Sequence, residues 1–314
     1  MTDKVGVPPI KSQGIKTKLV PWIKAVVPAV GAGTWIEPFL GTGAVAFNIA
    51  PRRALLCDSN PHLIRFYAGI AQGGITPERV GAYLAREGAL LAARGEEHYY
   101  RVRDRFNTGF SPLDFLFLNR AGFNGMVRFN RKGGYNTPFC RKPQRFAPAY
   151  ITKIVNQVAW VSRIIQANQY QFRCQDFTAT LAQAGSGDIV YCDPPYIDRH
   201  GDYYNGWDAA LEYRLFERLA DYGGRFILST WQRNDYRENG YMATLWSRYR
   251  VLTRRHFYHV GGRQENRNPV TEALVLNFAP DNQVIALPEP ERIFREGGSK
   301  PLLPPDPSIP LHED

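Results

Sequence analysis

The stretch Thr34-Trp35-Ile36-Glu37-Pro38-Phe39-Leu40-Gly41-Thr42-Gly43-Ala44-Val45-Ala46-Phe47, running on to Ala54-Leu55-Leu56-Cys57-Asp58, decides the fold. Residues 34–39 read as a short strand entering a glycine turn. A small-residue helix start follows at Ala44, then a second strand that ends on an acid. This is a strand, glycine loop, helix, strand, acid unit. Glycines at 41 and 43 let a ligand approach the backbone and present helix-start N–H groups. The spacing is not G-x-G-x-x-G, because Ala46 stands at the third glycine position, which argues against a pyrophosphate-binding nicotinamide site. Asp58 lies where an acid takes ribose hydroxyls in nucleotide-binding sheets, or where it caps the helix opening at Pro61.

Outward from this unit the chain alternates. Residues 15–30 form a helical pattern through Leu19, Trp22, Ile23, Val26 and Val27. From 61 to 105 the pattern is helical and amphipathic, with Leu63, Ile64, Phe66, Tyr67 and Ile70 on one face and Val80, Tyr83, Leu84 and Leu90 on another. Residues 112–118 are apolar enough for helix or strand. Gly133-Gly134, between Val127-Arg128-Phe129 and Tyr135-Asn136, mark a hairpin over 128–139. A second α/β half follows, with helices over 150–167, 209–222 and 241–247. Its strands fall at 169–174, 188–192, 225–230, 250–258 and 270–278. Strands alternating with helices predict a mostly parallel sheet with helices on both faces. Beyond about residue 286 repeated prolines predict a flexible tail over 286–314.

The strand Asp188-Ile189-Val190-Tyr191-Cys192 runs into Asp193-Pro194-Pro195-Tyr196. Two prolines stop the strand and leave an acid, free carbonyls and a ring at the sheet end, where open α/β sheets bind ligands. A planar amino group on a base suits them. It donates one hydrogen to the Asp193 carboxylate and one to the Pro194 carbonyl, while Tyr196 stacks on the ring.

With 314 residues and 44% apolar composition the chain holds one large or two modest domains. No apolar run is long enough to span a bilayer, and Met1-Thr2-Asp3-Lys4-Val5 lacks a signal-peptide layout. Cys57, Cys140, Cys174 and Cys192 stand far apart, without metal-ligand spacing. Neither a metal site nor a disulfide framework is expected, and a cytoplasmic location is. The formal charge of +10 is concentrated. Residues 101–150 carry ten cations (Arg101, Arg103, Arg105, Arg120, Arg128, Arg131, Lys132, Arg141, Lys142, Arg145) against Asp104 and Asp114, which is 10 − 2 = +8. Clustered positive charge among aromatics is a nucleic-acid footprint, or else a solvated basic face.

Taken in order, these motifs resemble the Dam-like (D12 class, α-group) DNA adenine-N6 methyltransferases over most of residues 8–280. The resemblance rests on Lys11-Ser12-Gln13-Gly14-Ile15-Lys16, Phe39-Leu40-Gly41-Thr42-Gly43, Asp193-Pro194-Pro195-Tyr196 and Leu228-Ser229-Thr230. Its most family-specific part is Asn119-Arg120-Ala121-Gly122-Phe123-Asn124-Gly125-Met126-Val127-Arg128-Phe129-Asn130 with Gly134-Tyr135-Asn136-Thr137-Pro138-Phe139. Ser12 stands where many relatives have an aromatic residue, and Ile15 replaces a common glycine.

The resemblance implies a Rossmann-like class I S-adenosylmethionine-dependent methyltransferase sheet with an inserted helical and β-hairpin DNA-recognition domain. The catalytic domain would be residues 8–60 and 150–285, and the insertion 61–149. Catalysis would fall to Asp193, Pro194 and Tyr196. Ser12, Lys16, Phe39, Gly41, Gly43, Asp58, Asp176, Phe177 and Asp193 would bind S-adenosylmethionine, with Asp58 on the ribose and Phe177 on the cofactor adenine or simply in the core. Arg120, Asn124, Met126, Arg128, Asn130 and Pro138 would contact double-stranded DNA. Arg128 would read guanine through O6 and N7, or else hold a phosphate. Tyr203, Tyr204 and Trp207 would line the pocket or fill core. Leu228-Ser229-Thr230 would line the target pocket. Relatives with this hairpin commonly methylate adenine within sites beginning GAT, which implies a GATC-like site here, and a cognate restriction endonuclease is a partner such enzymes can have. Cytosine-N4 methylation, methylation of an RNA or protein amide, and a DNA-binding protein without catalysis are the other readings.

Overall fold

A computed structural model describes residues 4–12, 14–28, 31–196, 206–257 and 269–280. The expected tail over 286–314, and Tyr203 and Tyr204, lie outside the described residues. The chain runs α1 (Val20–Val26), β1 (Trp35–Glu37), α2 (Ala44–Ile49), β2 (Arg53–Asp58), α3 (Pro61–Ala71), α4 (Pro77–Arg94), α5 (Glu96–Gly109) and α6 (Pro112–Ala121). It continues α7 (Pro148–Ala167), β3 (Gln169–Cys174), α8 (Phe177–Leu181), β4 (Ile189–Cys192), α9 (Ala209–Ala220), β5 (Arg225–Asn234), α10 (Gly240–Thr244), β6 (Arg250–Phe257) and β7 (Pro269–Leu276).

The seven strands form one sheet in the order β3-β2-β1-β4-β5-β7-β6. The first five are parallel, whereas β7 runs antiparallel between β5 and β6. The expected mostly parallel sheet is therefore present. Strand order reverses between β1, whose chain continues to β2 on one side, and β4 on the other, so a crevice opens beyond their C-terminal ends.

The two-residue period of each strand feeds two cores. Trp35, Leu56, Tyr191, Ile227 and Leu274 enter the larger one, with α1, α3 and α7. Their neighbours Ile36, Leu55, Cys57, Val190, Cys192, Phe226, Leu228, Ala273 and Val275 enter a second, with α8, α9 and α10. Both faces of β1 and β4 are covered, which is why β4 reads as an unbroken apolar run and why β1 is buried throughout, its Glu37 included.

The larger core extends without a break into α4, α5 and α6 through Val80, Leu84, Leu91, Val102, Phe106 and Phe115. The ambiguous 112–118 segment is helical, since Pro112 opens α6 at its first turn and a ten-residue apolar helix can bury itself among α3, α4 and α5. α3 lies on β2 and β3 as well as on α6, so the expected 61–149 insertion begins with a sheet-covering helix. The predicted hairpin is irregular. It holds only isolated pairings at Gly122–Phe139 and Phe129–Tyr135, closed by a turn in which Asn130 Oδ1 accepts from the backbone N–H of Lys132 and Gly134. The helix expected over 15–30 is a single turn at Lys16–Lys18 followed by α1. Phe177–Leu181, which was not expected to be helical, forms α8 because Asp176 caps it.

Candidate active site

The crevice at the strand switch holds a cavity of about 280 Å³, walled by the turn after β1, the ends of β2 and β4, the start of α8 and the segment at Met126-Val127. Its first wall is the glycine turn. Gly41 and Gly43 both adopt left-handed backbone, φ 51° and 72°. A Cβ on Gly43 would sit 2.2 Å from the Phe47 ring, so that glycine is required by packing. A Cβ on Gly41 would meet nothing within 4 Å, so the backbone there faces open space. Tyr67 holds the turn from beneath by donating its hydroxyl to the Thr42 carbonyl at 2.5 Å.

Asp58 fixes the same turn from β2. Its Oδ2 accepts from Gly41 N–H and its Oδ1 from Asn60 N–H, both at 2.8 Å. Asn60, not Asp58, caps α3, accepting from His62 N–H at 2.9 Å. Asp58 therefore faces the cavity. Burial raises its carboxyl above the ordinary value, against the pull of the two N–H donors.

Phe39 stacks on Phe177 with centroids 5.5 Å apart at 26°, and Trp207 meets Phe39 edge-on at 5.5 Å and Phe177 at 5.5 Å. The three rings pack on one another and present a wall, not a slot. Phe177 is both core and lining, and Trp207 joins it. Asp176 lines the rim, but its Oδ1 is taken by Ala179 N–H and the Thr178 hydroxyl, so its main work is capping α8.

Asp193 leaves β4 at the cavity floor. Lys16 Nζ stands 2.8 Å from its Oδ1, and the same ammonium lies 4.6 Å from the centre of the Tyr196 ring. One buried cation thus ties the acid to the aromatic ring of the motif. Burial raises the Asp193 carboxyl above its ordinary value, although Lys16 opposes this. Pro194 and Tyr196 are buried and Pro195 is half-buried. The Tyr196 hydroxyl donates to Glu272 Oε2 of β7, and its ring packs with Trp231 and Val270.

Two acids that sequence reasoning missed lie here. Glu37, at the end of β1, lines the cavity and accepts from Trp35 Nε1 at 2.8 Å. Burial pushes its carboxyl up to about 8, so it carries a proton at neutral pH. Glu272 is 1% exposed beneath Tyr196. Both were marked in the sequence by an acid inside an apolar strand, which needs a reason.

Of the expected cofactor residues, the cavity brings together Ser12, Lys16, Phe39, Gly41, Asp58, Asp176, Phe177 and Asp193. Gly43 shapes the turn without lining it. Leu228-Ser229-Thr230 is buried in β5 beside β4 and does not line this cavity.

The expected DNA residues divide. Asn124 and Pro138 are exposed, Met126 lines the cavity mouth, and Asn130 spends its Oδ1 closing the hairpin turn. Arg128 is half-buried at the hairpin, its Nε donating to Asn136 Oδ1 at 2.9 Å and its Nη2 to Asn136 O at 3.2 Å. Arg120 lies deeper than these. It is 2% exposed, with Nη1 on Pro9 O and Nη2 on Gln157 Oε1, both at 3.0 Å, so it joins the N-terminal segment to α7 and does not reach a ligand surface.

A sequence model of the D12 class N6 adenine-specific DNA methyltransferases matches residues 12–260. The chain belongs to this family. It is 34% identical over 191 residues to a DNA adenine methylase of Vibrio cholerae, covering 60% of this chain and 64% of that one. It is 32% identical over 214 residues to the retron Ec67 DNA adenine methylase of Escherichia coli, covering 66% and 70%. It is 27% identical over 282 residues to the Type II methyltransferase M.FokI of Planomicrobium okeanokoites, covering 86% and 42%. The chain thus spans just under two thirds of the Vibrio protein's length. Among the described residues no helix is long and apolar enough to cross a membrane, and no group of acids, histidines and cysteines has metal-site geometry.

Proposed function

We propose that this D12-family chain transfers a methyl group from S-adenosylmethionine to N6 of an adenine flipped out of a short, GATC-like site in double-stranded DNA. One observation carries the reading. Lys16, Asp193, Pro194 and Tyr196 converge on one floor of a cavity whose other walls are a glycine turn, an acid and an aromatic face. The residues fit the cofactor. Gly41 leaves open space beside exposed backbone, Asp58 offers carboxylate lone pairs to ribose hydroxyls, and the wall of Phe39, Phe177 and Trp207 suits an adenine ring. Bound there, S-adenosylmethionine supplies an electrophilic methyl on a sulfonium.

Adenine N6 is a poor nucleophile, because its lone pair is delocalised into the ring. The Asp193 carboxylate and the Pro194 carbonyl would accept its two hydrogens. They favour a pyramidal nitrogen and stabilise the positive charge that develops on it. Tyr196 would hold the extruded ring by stacking. Its orientation is fixed by Lys16 on the ring, Glu272 on the hydroxyl and Trp231 at its side. The cavity then lowers the barrier by holding nucleophile and methyl in line. Asn124, Met126, Arg128 and Pro138 on the 119–139 segment, within the 61–149 insertion, would read the flanking bases, with Arg128 on guanine. Kinship with a Type II methyltransferase favours a cognate endonuclease as partner.

Calorimetric titration with S-adenosylmethionine tests the cofactor half of this reading. Wild type should bind one equivalent, and Asp58→Ala should weaken binding about tenfold or more, the cost of one charge-assisted hydrogen bond at about 1.5–3 kcal/mol. Unchanged affinity in the variant would refute the ribose assignment.

A further inference from the structure

Beside the cavity mouth, three cations converge on a single phenol. Arg145 Nη2 donates to the Tyr150 hydroxyl at 3.0 Å, and its guanidinium carbon lies 4.7 Å from the ring centre. Arg120 lies 5.0 Å from the same centre and Lys11 Nζ 5.7 Å from it. The charged groups that act on Lys11 are Tyr150, Arg120 and Arg145, and those that act on Arg120 are Tyr150 and Arg145, with no carboxylate among them. Elsewhere in the insertion arginines find acids: Arg105 pairs with Asp114 and Glu87, Arg101 with Glu97 and Arg86 with Glu87. Among the described residues no carboxylate pairs with any of the three, and positive charges held together in this way form a site prepared for an anion.

Its location says which anion. Asn119 grips Lys11 through both backbone groups and also donates to Gly125 O, so Lys11 is joined to the turn that leads into Met126 at the cavity rim. Arg145 Nε donates to Arg120 O, which fixes it to the end of α6. Lys11, Arg145 and Tyr150 are half-buried and reachable, whereas Arg120 is closed off beneath them. Burial pushes the Tyr150 phenol up, but Arg120, Lys11 and Arg145 outweigh it and hold it below the usual tyrosine value. Its hydroxyl oxygen accepts from Arg145 and is also hydrogen-bonded to Lys11, so the phenol holds the cations in place around one point.

We propose that Lys11, Arg145 and Tyr150 form a single phosphodiester site that grips the DNA backbone next to the flipped nucleotide, with Arg120 as its buried floor. The site rests on the DNA reading above. It gives the register of the strand a fixed point independent of base contacts.

The test is duplex binding by fluorescence anisotropy from about 50 to about 200 mM KCl. Each phosphate neutralised contributes about 0.9 to the slope of log affinity against log salt. Arg145→Gln and Lys11→Gln should each lower low-salt affinity about five- to tenfold and flatten the slope by up to about 0.9. Because both cations meet one phosphate, the double variant should lose about 0.9 and not about 1.8. Tyr150→Phe keeps the ring and should weaken binding about threefold with no change in slope. Arg101→Gln, on the exposed face of α5, should behave as wild type. An additive loss of slope would overturn the single site in favour of separate contacts on a diffuse patch. Unchanged slopes in both single variants, with thermal melting intact, would overturn it outright. Wild type that binds no duplex at any salt would defeat the DNA reading itself, and the site with it.

Discussion

The sheet-end cavity and the 119–139 segment, proposed to read DNA, solve opposite electrostatic problems. The cavity gathers the acids Glu37, Asp58 and Asp193 around one buried lysine, with Glu272 behind Tyr196. The recognition segment and its surroundings gather cations with few acids. The first is built at the ends of strands whose register is fixed by neighbours on both sides, so its groups are rigid before any ligand arrives. The second is built from a loosely paired hairpin and a 3-10 turn in which Asn124 takes a left-handed φ of 52°. On the proposed function, chemistry falls to the rigid part and sequence reading to the adaptable part.

Four outcomes would sharpen or break that contrast. The largest concerns Glu37. Its carboxyl is raised from 4.5 to about 8, so the folded chain holds that proton more tightly than the unfolded chain does. The stability this contributes is complete below about pH 4.5 and is lost as pH rises toward about 8, by up to about 1.4 kcal/mol per unit. Glu37→Gln should flatten the fall in melting temperature over that window. An unaltered pH profile would mean that the acid is not held neutral.

Next is Arg128. If it reads guanine with its fork, Arg128→Gln should cost about 1–3 kcal/mol of discrimination against other bases at one position of the methylated site. A uniform loss across all sequences would make it a phosphate contact. Arg120, eight residues earlier, should behave differently despite lying in the same basic stretch. Arg120→Met leaves Pro9 O and Gln157 without a donor and should lower stability by about 1–3 kcal/mol in denaturant melts, with the salt slope of DNA binding unchanged. A flattened slope at full stability would put Arg120 at the surface. The smallest effect concerns the tyrosine support. Tyr196→Phe and Glu272→Leu should each lower kcat about tenfold, about 1.4 kcal/mol, with little change in KM for DNA. Because they break the same hydrogen bond, the double variant should be no worse than either single one. Additive losses would separate their roles.

The sheet was legible in the sequence because period and punctuation agree there. The apolar runs 34–39 and 188–192 end at glycines or prolines, and the strand ends carry the acids. The recognition segment was legible as a motif but not as a shape. Arg120 and Arg128 look alike in sequence, and only packing against Pro9 and α7 decides that one is internal. The strand end Leu228-Ser229-Thr230 was legible as a strand end but not in its burial, since a sequence does not say what packs over it. Glu272 lay 76 residues from Tyr196, and an antiparallel strand inserted between β5 and β6 is what brings them together.

The central claim is that the Asp193 floor of this cavity methylates adenine in DNA. Unmodified duplex DNA incubated with S-adenosylmethionine and the chain, then digested to nucleosides for mass spectrometry, tests it directly. N6-methyladenine formed by wild type and lowered about a thousandfold or more by Asp193→Ala is the predicted result. Methylated cytosine in its place, or N6-methyladenine undiminished in the variant, would contradict it.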